Sequence, residues 1–244
     1  MDCAYVHLQR ALTVSWETPP PALVAALARV RSEGRGASVL EVEKRRGCPR
    51  TIRGDAVASQ RSVVGAHRRD LACEGARAPA RAARLLAAAA RVEAAVAAGR
   101  APTWPRLCAT QRAVLGVDDD EALLRRGPAG CGDRRYGYWP RLHERLAAKL
   151  AADARGSLHP VLQATRLYLD LIHLHPFIDG NARAARLGLT WWLALAGLPL
   201  PPLDPLIRLP KPPGHPPWTF AHLLALGVAR CLAPTGPNGS ARSR

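Results

Sequence analysis

His175, Asp179, Asn181, Arg183 and Arg186 fall within the run His175-Pro176-Phe177-Ile178-Asp179-Gly180-Asn181-Ala182-Arg183-Ala184-Ala185-Arg186. Each residue type there has a separate task if the ligand is a polyphosphate. An imidazole titrates near neutral pH and can take a proton from an incoming nucleophile. A carboxylate beside a phosphate supplies a hard oxygen to a Mg²⁺ that keeps waters and phosphate oxygens as its other ligands. A Gly-Asn turn that opens a helix exposes the first backbone N–H groups, and the helix dipole adds positive potential. Together these form an anion site. Two arginines three residues apart are expected to project from one face of that helix's first turns. Cations at a helix N-terminus oppose the dipole by a few tenths to about 1 kcal/mol each, so a polyphosphate ligand accounts for them better than a structural role does.

Two helices must hold this run in place. From Ser157 to His173 the residues Val161, Leu162, Tyr168, Leu169 and Ile172 recur near helical spacing, which predicts one buried face. Ser157 stands where an N-cap belongs, and Pro160 falls in the first turn, where a missing N–H is harmless. Pro176 ends this helix, because the residue before a proline is pushed out of the right-handed region. His175 is thereby expected at the exposed mouth of a loop, with Phe177 anchoring the loop in the core. The trailing helix is expected from Gly180-Asn181 to about Ala196, with Gly197 as its C′ residue.

The run resembles the active-site loop of the Fic family, His-x-Phe-x-Asp/Glu-Gly-Asn-x-Arg-x-x-Arg, with every fixed position filled. Chance agreement at so many positions is on the order of 10⁻⁸ for a chain of this length, so the likeness is specific. His159-Pro160 and Gly197-Leu198-Pro199 also look like the family, and the resemblance covers roughly residues 100–232. It implies an all-α fold, a mainly helical bundle with a small β-hairpin flap near the active site. It further implies a protein adenylyltransferase that moves AMP from ATP to a Ser, Thr or Tyr hydroxyl of a target protein. In that mechanism His175 is the general base and Asp179 holds Mg²⁺. Asn181 and the backbone N–H groups of Gly180, Ala182 and Arg183 cradle the phosphoryl group under attack. Arg183 and Arg186 grip the β- and γ-phosphates.

One position departs from the commonest loop, which has Gly where this chain has Ala182; a phosphotransferase branch has Lys there. Alanine leaves the anion pocket open, although its Cβ narrows the backbone's freedom. The alternatives that stay open are transfer of another phosphate-containing group, an acceptor hydroxyl on a small molecule, or a catalytically silent protein-binding module.

Between Gly116 and Pro140 the texture changes. Asp118, Asp119, Asp120 and Glu121 run together, then Gly127, Pro128, Gly130 and Gly132 punctuate the chain before Arg134-Arg135-Tyr136-Gly137-Tyr138-Trp139. Such density of Gly and Pro marks turns, and the aromatic run has strand composition. By resemblance this is the flap that pairs with the target's backbone as an added strand, with Tyr136 and Tyr138 as candidate docking residues. A plain surface loop is the competing reading.

The chain has 244 residues, 48% of them hydrophobic, enough to bury a sizeable core. A net charge of +16 would ordinarily suggest nucleic acid. Yet of the 35 basic residues only Lys44, Lys149 and Lys211 are lysines. With so much Ala, Gly and Pro, the basicity reflects coding bias better than a nucleic-acid partner. The six cysteines show neither metal spacing nor a compact disulfide framework, which fits reduced thiols in a cytoplasmic protein. Met1 to Ser15 lacks a signal-peptide pattern, and no stretch reaches transmembrane length.

The expected organisation is a helical N-terminal extension over residues 1–100, a Fic-like core over 101–232 and a disordered tail over 233–244. Within the extension, Pro79 opens an amphipathic helix over Ala80 to Ala98, Ser38 and Glu41 form a candidate capping box, and Lys44 to Arg69 could hold a helix-turn-helix. A final helix is expected over Trp218 to Leu232. Many family members silence themselves with a Ser/Thr-x-x-x-Glu-Gly/Asn helix. Residues 201–244 contain no Glu, and near the N-terminus only Thr13 to Glu17 fits in part, with Thr18 following. Glu17 is thus the one candidate inhibitory residue, against helix capping or plain surface. Otherwise the enzyme is unrestrained, or a separate antitoxin or inhibitor chain restrains it.

Overall fold

The computed structural model describes residues 19–36, 62–67, 71, 75–131, 134–203, 206–207, 209 and 218–232. The candidate inhibitory Glu17, the Ser38/Glu41 capping box, most of the Lys44–Arg69 stretch and the 233–244 tail lie outside them. The described residues are mainly helical, with one small two-stranded sheet, as the sequence predicts.

Helices α1 (Pro21–Gly36), α2 (Val63–Ala66), α3 (Pro79–Ala97) and α4 (Trp104–Leu115) precede the hairpin strands β1 (Ala129–Cys131) and β2 (Arg134–Tyr136). Helices α5 (Leu142–Arg155), α6 (Pro160–Leu174), α7 (Asn181–Leu195) and α8 (Trp218–Leu232) follow. The centre of the molecule is the α6–α7 pair, joined by the short loop that carries the candidate site. Both helices are apolar around much of their circumference: Val161, Leu167 and Leu171 of α6 are buried, and so are Leu187, Leu189 and Leu193 of α7. A helix that is apolar on several sides has to be enclosed by others. Here α3 and α4 cover α7, while α8 covers α6 and carries α1 on its other side. Gly188 sets the closeness of the central pair, since a Cβ there would stand 2.8 Å from Leu167 Cδ2.

The N-terminal helices share this core. Leu23 of α1 and Leu85 and Val92 of α3 belong to the same buried cluster as Leu171, Trp191 and Leu224. A smaller cluster of Trp139, Leu142, Leu146 and Leu174 packs beneath the hairpin, with Trp104 against it. Among the described residues no helix is long and apolar enough to cross a membrane.

The start of α6 differs from expectation. Its N-cap is His159, whose Nδ1 accepts the Val161 N–H at 3.2 Å, and not Ser157. Pro160 occupies the first helical position, so the residue just before it becomes the cap, and a His side chain is long enough to reach the second helical N–H. Of the basic stretch considered for DNA binding, only Ser62 to His67 is described. Ser62 caps the single turn α2 by accepting the Gly65 N–H, and its hydroxyl donates to Glu93 of α3 at 2.7 Å. That turn serves packing.

Candidate active site

The loop from His175 to Gly180 is held from three sides. Phe177 is fully buried and stacks on Trp104 of α4, with ring centroids 5.5 Å apart and 4° between planes. Asn181 accepts the Phe177 N–H through Oδ1 at 3.0 Å and donates to its carbonyl through Nδ2 at 2.9 Å. The chain just before the hairpin lies alongside: Leu124 bridges Phe177, the Arg125 N–H meets the Pro176 carbonyl at 3.1 Å, and the Ile178 N–H meets the Leu123 carbonyl at 3.0 Å. The Asn181 amide is thus occupied by the loop's own backbone. Its observed contribution is to the loop's shape.

His175 closes α6 in the left-handed region, at φ 44° and ψ 60°. For a residue with a Cβ this costs roughly 1–2 kcal/mol and persists only where the surroundings enforce it. Its Nδ1 lies 2.8 Å from the Ile172 carbonyl. A carbonyl can only accept, so Nδ1 carries a proton, and in the neutral imidazole the lone pair is then on Nε2. The Tyr136 ring lies on the imidazole, centroids 3.6 Å apart and planes 22° apart. His175 is therefore half-buried beneath the hairpin, and not the exposed loop residue that the sequence suggested. Proximity across 39 positions in the chain leaves no trace in local spacing.

Gly180 is the N-cap of α7, at φ 72°. Its left-handed backbone opens the helix, whose first N–H groups have no intrahelical acceptor and are the kind of donors that hold an anion. Gln111 of α4 buttresses this turn: it is fully buried and donates from Nε2 to the Asp179 carbonyl at 2.6 Å. A Cβ on Gly180 would stand 2.6 Å from that same nitrogen. Gly180→Ala should accordingly lower stability by about 1–2 kcal/mol from the backbone conformation alone and weaken anion binding. A denaturant midpoint and a nucleotide titration read the two effects, and an unchanged midpoint would contradict this account of the turn.

Asp179 is exposed, with 73% of its side chain accessible. One carboxylate oxygen accepts the Gly180 N–H at 2.6 Å, and the other stands 3.3 Å from Arg183 Nη2. Among the described residues no group of three or more His, Cys, Asp or Glu side chains could enclose a metal. A single outward carboxylate beside an anion turn suits a Mg²⁺ that brings its other ligands with it. Arg183 turns back toward Asp179, whereas Arg186 acts on the Tyr168 hydroxyl of α6, which burial pushes up to about 12 against the pull of that guanidinium. Ala182 is exposed on the first turn.

The hairpin lies where the flap was expected, although strand structure stops at Tyr136 and does not include Gly137 to Trp139. It pairs Ala129 with Tyr136, Gly130 with Arg135 and Cys131 with Arg134. Tyr138 is half-buried, its ring 5.6 Å from the guanidinium carbon of Arg125. Arg125 and Gln111 are the two site-shaping residues that sequence reasoning missed. Both act on backbone carbonyls far along the chain, and no motif marks either. Burial pushes the thiol of Cys108, on the inner side of α4, up to about 12, which makes it an inert packing residue.

Residues 106–193 match the family model for the Fic/DOC family. The chain is 38% identical over 77 residues to the protein adenylyltransferase Fic of Drosophila grimshawi, and 40% identical over 72 residues to that of Drosophila persimilis. These matches cover 30% of this chain and only 14% and 13% of the relatives' own lengths. Among solved structures, a Fic family protein from Desulfovibrio desulfuricans superposes with a TM-score of 0.58 at 17% identity, covering 88% of this chain and 74% of the other. IbpAFic2 covalently tethered to Cdc42 superposes with a TM-score of 0.59 at 15% identity, covering 93% and 75%. At such identities these structures establish the fold.

Proposed function

Because residues 106–193 form a Fic/DOC domain, we propose that this protein is a protein adenylyltransferase. It moves AMP from ATP to the hydroxyl of a Ser, Thr or Tyr side chain on another protein. One observation carries the reading. A single loop holds an imidazole whose Nδ1 is fixed on a backbone carbonyl, beside a left-handed glycine that opens a helix. A base and a phosphate cradle joined by five residues of chain can act on the two partners of one displacement.

In this reading, the His175 Nε2 takes the proton of the acceptor hydroxyl as its oxygen bonds to the α-phosphorus. The bond from that phosphorus to the bridging oxygen of the β-phosphate breaks, and pyrophosphate leaves. Backbone N–H groups at the start of α7 stabilise charge on the α-phosphoryl oxygens, and Arg183 and Arg186 neutralise the leaving group. Asp179 would hold Mg²⁺, which when bound supplies positive charge to the phosphate oxygens. Arg183 gives up its contact with Asp179 as nucleotide enters, so both side chains change partner together. The hairpin offers backbone hydrogen bonds to the acceptor segment, and exposed Ile178 at the rim offers it an apolar contact. The IbpAFic2 structures, one of which holds adenylylated Cdc42, support a protein acceptor by analogy of fold only.

With α-labelled ATP and a lysate as the source of acceptor, wild-type protein should label at least one polypeptide, and a chelator should stop the labelling. Asp179→Ala should raise the Mg²⁺ concentration that gives half-maximal labelling. Labelling that persists undiminished in excess EDTA would assign the carboxylate another role.

A further inference from the structure

Arg125 lies between the hairpin and the end of α6, is 4% exposed, and has no carboxylate partner among the described residues. A buried cation without a counter-charge is costly unless hydrogen bonds replace its hydration. Here backbone carbonyls take every N–H of the guanidinium. Nε donates to His175 O at 2.7 Å and Nη2 to Leu174 O at 2.8 Å, both at the C-terminal end of α6, where the helix dipole is negative. Nη1 donates to Gly127 O at 2.6 Å and to Tyr136 O at 3.2 Å, and Nη2 also to Gly137 O at 2.8 Å. Three of the five carbonyls belong to the hairpin and its immediate flanks, and two to the segment that carries His175.

We propose that Arg125 is a positioning residue that joins the hairpin and the His175 imidazole into one unit, by gripping the main chain of both members of the stacked Tyr136–His175 pair. This rests on the reading of His175 as the base. The planar five-donor fork suits the task because its donors point in fixed directions toward separate carbonyls. Without it, the His175 carbonyl loses the guanidinium's hydrogen bond, and the left-handed backbone that aims the ring can relax. Tyr136 leaves the imidazole face with the hairpin. The anion turn at Gly180 is held instead by Gln111 and Asn181, so nucleotide binding should not depend on Arg125. The consequence is specific: loss of the guanidinium disables the base and the acceptor platform together while sparing the nucleotide.

The test uses the full chain as wild type, Arg125→Met and Arg125→Lys. Ring ¹⁵N shifts of His175 report its tautomer, and steady-state transfer with ATP titration separates turnover from nucleotide binding. Arg125→Met should lose the Nδ1-protonated pattern, lower kcat roughly 10²-fold, as misplacement of about an ångström does, and raise KM for the acceptor at unchanged ATP affinity. Arg125→Lys should recover part of each loss, since an ammonium has three donors for five carbonyls. A wild-type ring spectrum and kcat in Arg125→Met, with only a lowered melting temperature, would overturn the inference, and so would an ATP affinity that falls in step with kcat. If the Met variant does not fold, the Lys variant decides: intermediate values support the coupling, and wild-type spectrum and rate overturn it. Should wild type transfer nothing, the proposed activity fails, and the ring spectra alone still settle the coupling.

Discussion

Replacing His175 with Ala should cut the rate of transfer by a factor of roughly 10²–10⁴, the usual contribution of a positioned base, and leave ATP affinity near wild type. The separation follows from how the loop is built. The imidazole hangs from the end of α6, with Nδ1 fixed by the Ile172 carbonyl and one face covered by Tyr136. The glycine turn proposed to hold phosphate lies five residues later and is anchored by Phe177 in the core, by Asn181 on the Phe177 backbone and by Gln111 on Asp179. None of these contacts uses the His175 ring. Rates and calorimetric ATP affinities on the same preparations would check the split. Transfer at the wild-type rate would remove His175 from the mechanism, and a parallel loss of ATP binding would mean that the loop has collapsed.

The arginines should show the opposite pattern. Replacing Arg183 or Arg186 with Ala should weaken ATP far more than AMP, with each lost charge-assisted contact worth about 1.5–3 kcal/mol. The structure adds an asymmetry between them. Arg183 already interacts with Asp179 at 3.3 Å and has to exchange that partner for phosphate, so its removal should fall at the lower end of the range. Lys at Arg186 should restore only part of the loss, because a point charge cannot reproduce the guanidinium fork. Calorimetry with ATP, ADP and AMP on the variants would measure this. Equal losses for all three nucleotides would mean that neither side chain grips the β- and γ-phosphates.

These expectations draw on parts of the molecule that the sequence discloses unequally. Helix α3, opened by Pro79, and α8, from Trp218 to Leu232, follow from local signals: a proline tolerated at the first helical position and apolar periodicity. The same holds for the end of α7, where Gly197 adopts φ 68°. The loop's chemistry is legible because a base, a carboxylate, a helix-opening glycine and two arginines are concentrated in one short run. Local rules mislead at the start of α6, where His159 displaces Ser157 as the cap. They also mislead at the end of that helix. Pro176 does force His175 out of the right-handed region, yet the chain enters the left-handed one and not the extended one, because tertiary hydrogen bonds override the preference. Tyr136 on His175, Arg125 on the α6 carbonyls and Gln111 on Asp179 are encounters across 39, 50 and 68 positions. Spacing carries no information about such pairs. Arg125 in particular sits in a loop of ordinary surface composition, and only its surroundings reveal it.

The proposed reaction transfers the α-phosphoryl group with its nucleoside and releases the rest. Parallel reactions with ATP labelled at the α- or the γ-phosphate, using the same acceptor preparation, decide it. The α-label should appear on the acceptor protein and the γ-label in free pyrophosphate, with both signals abolished in His175→Ala. Recovery of the γ-label on the acceptor, with the α-label left in ADP, would contradict it and assign this loop, Ala182 included, to phosphoryl transfer from an inverted nucleotide.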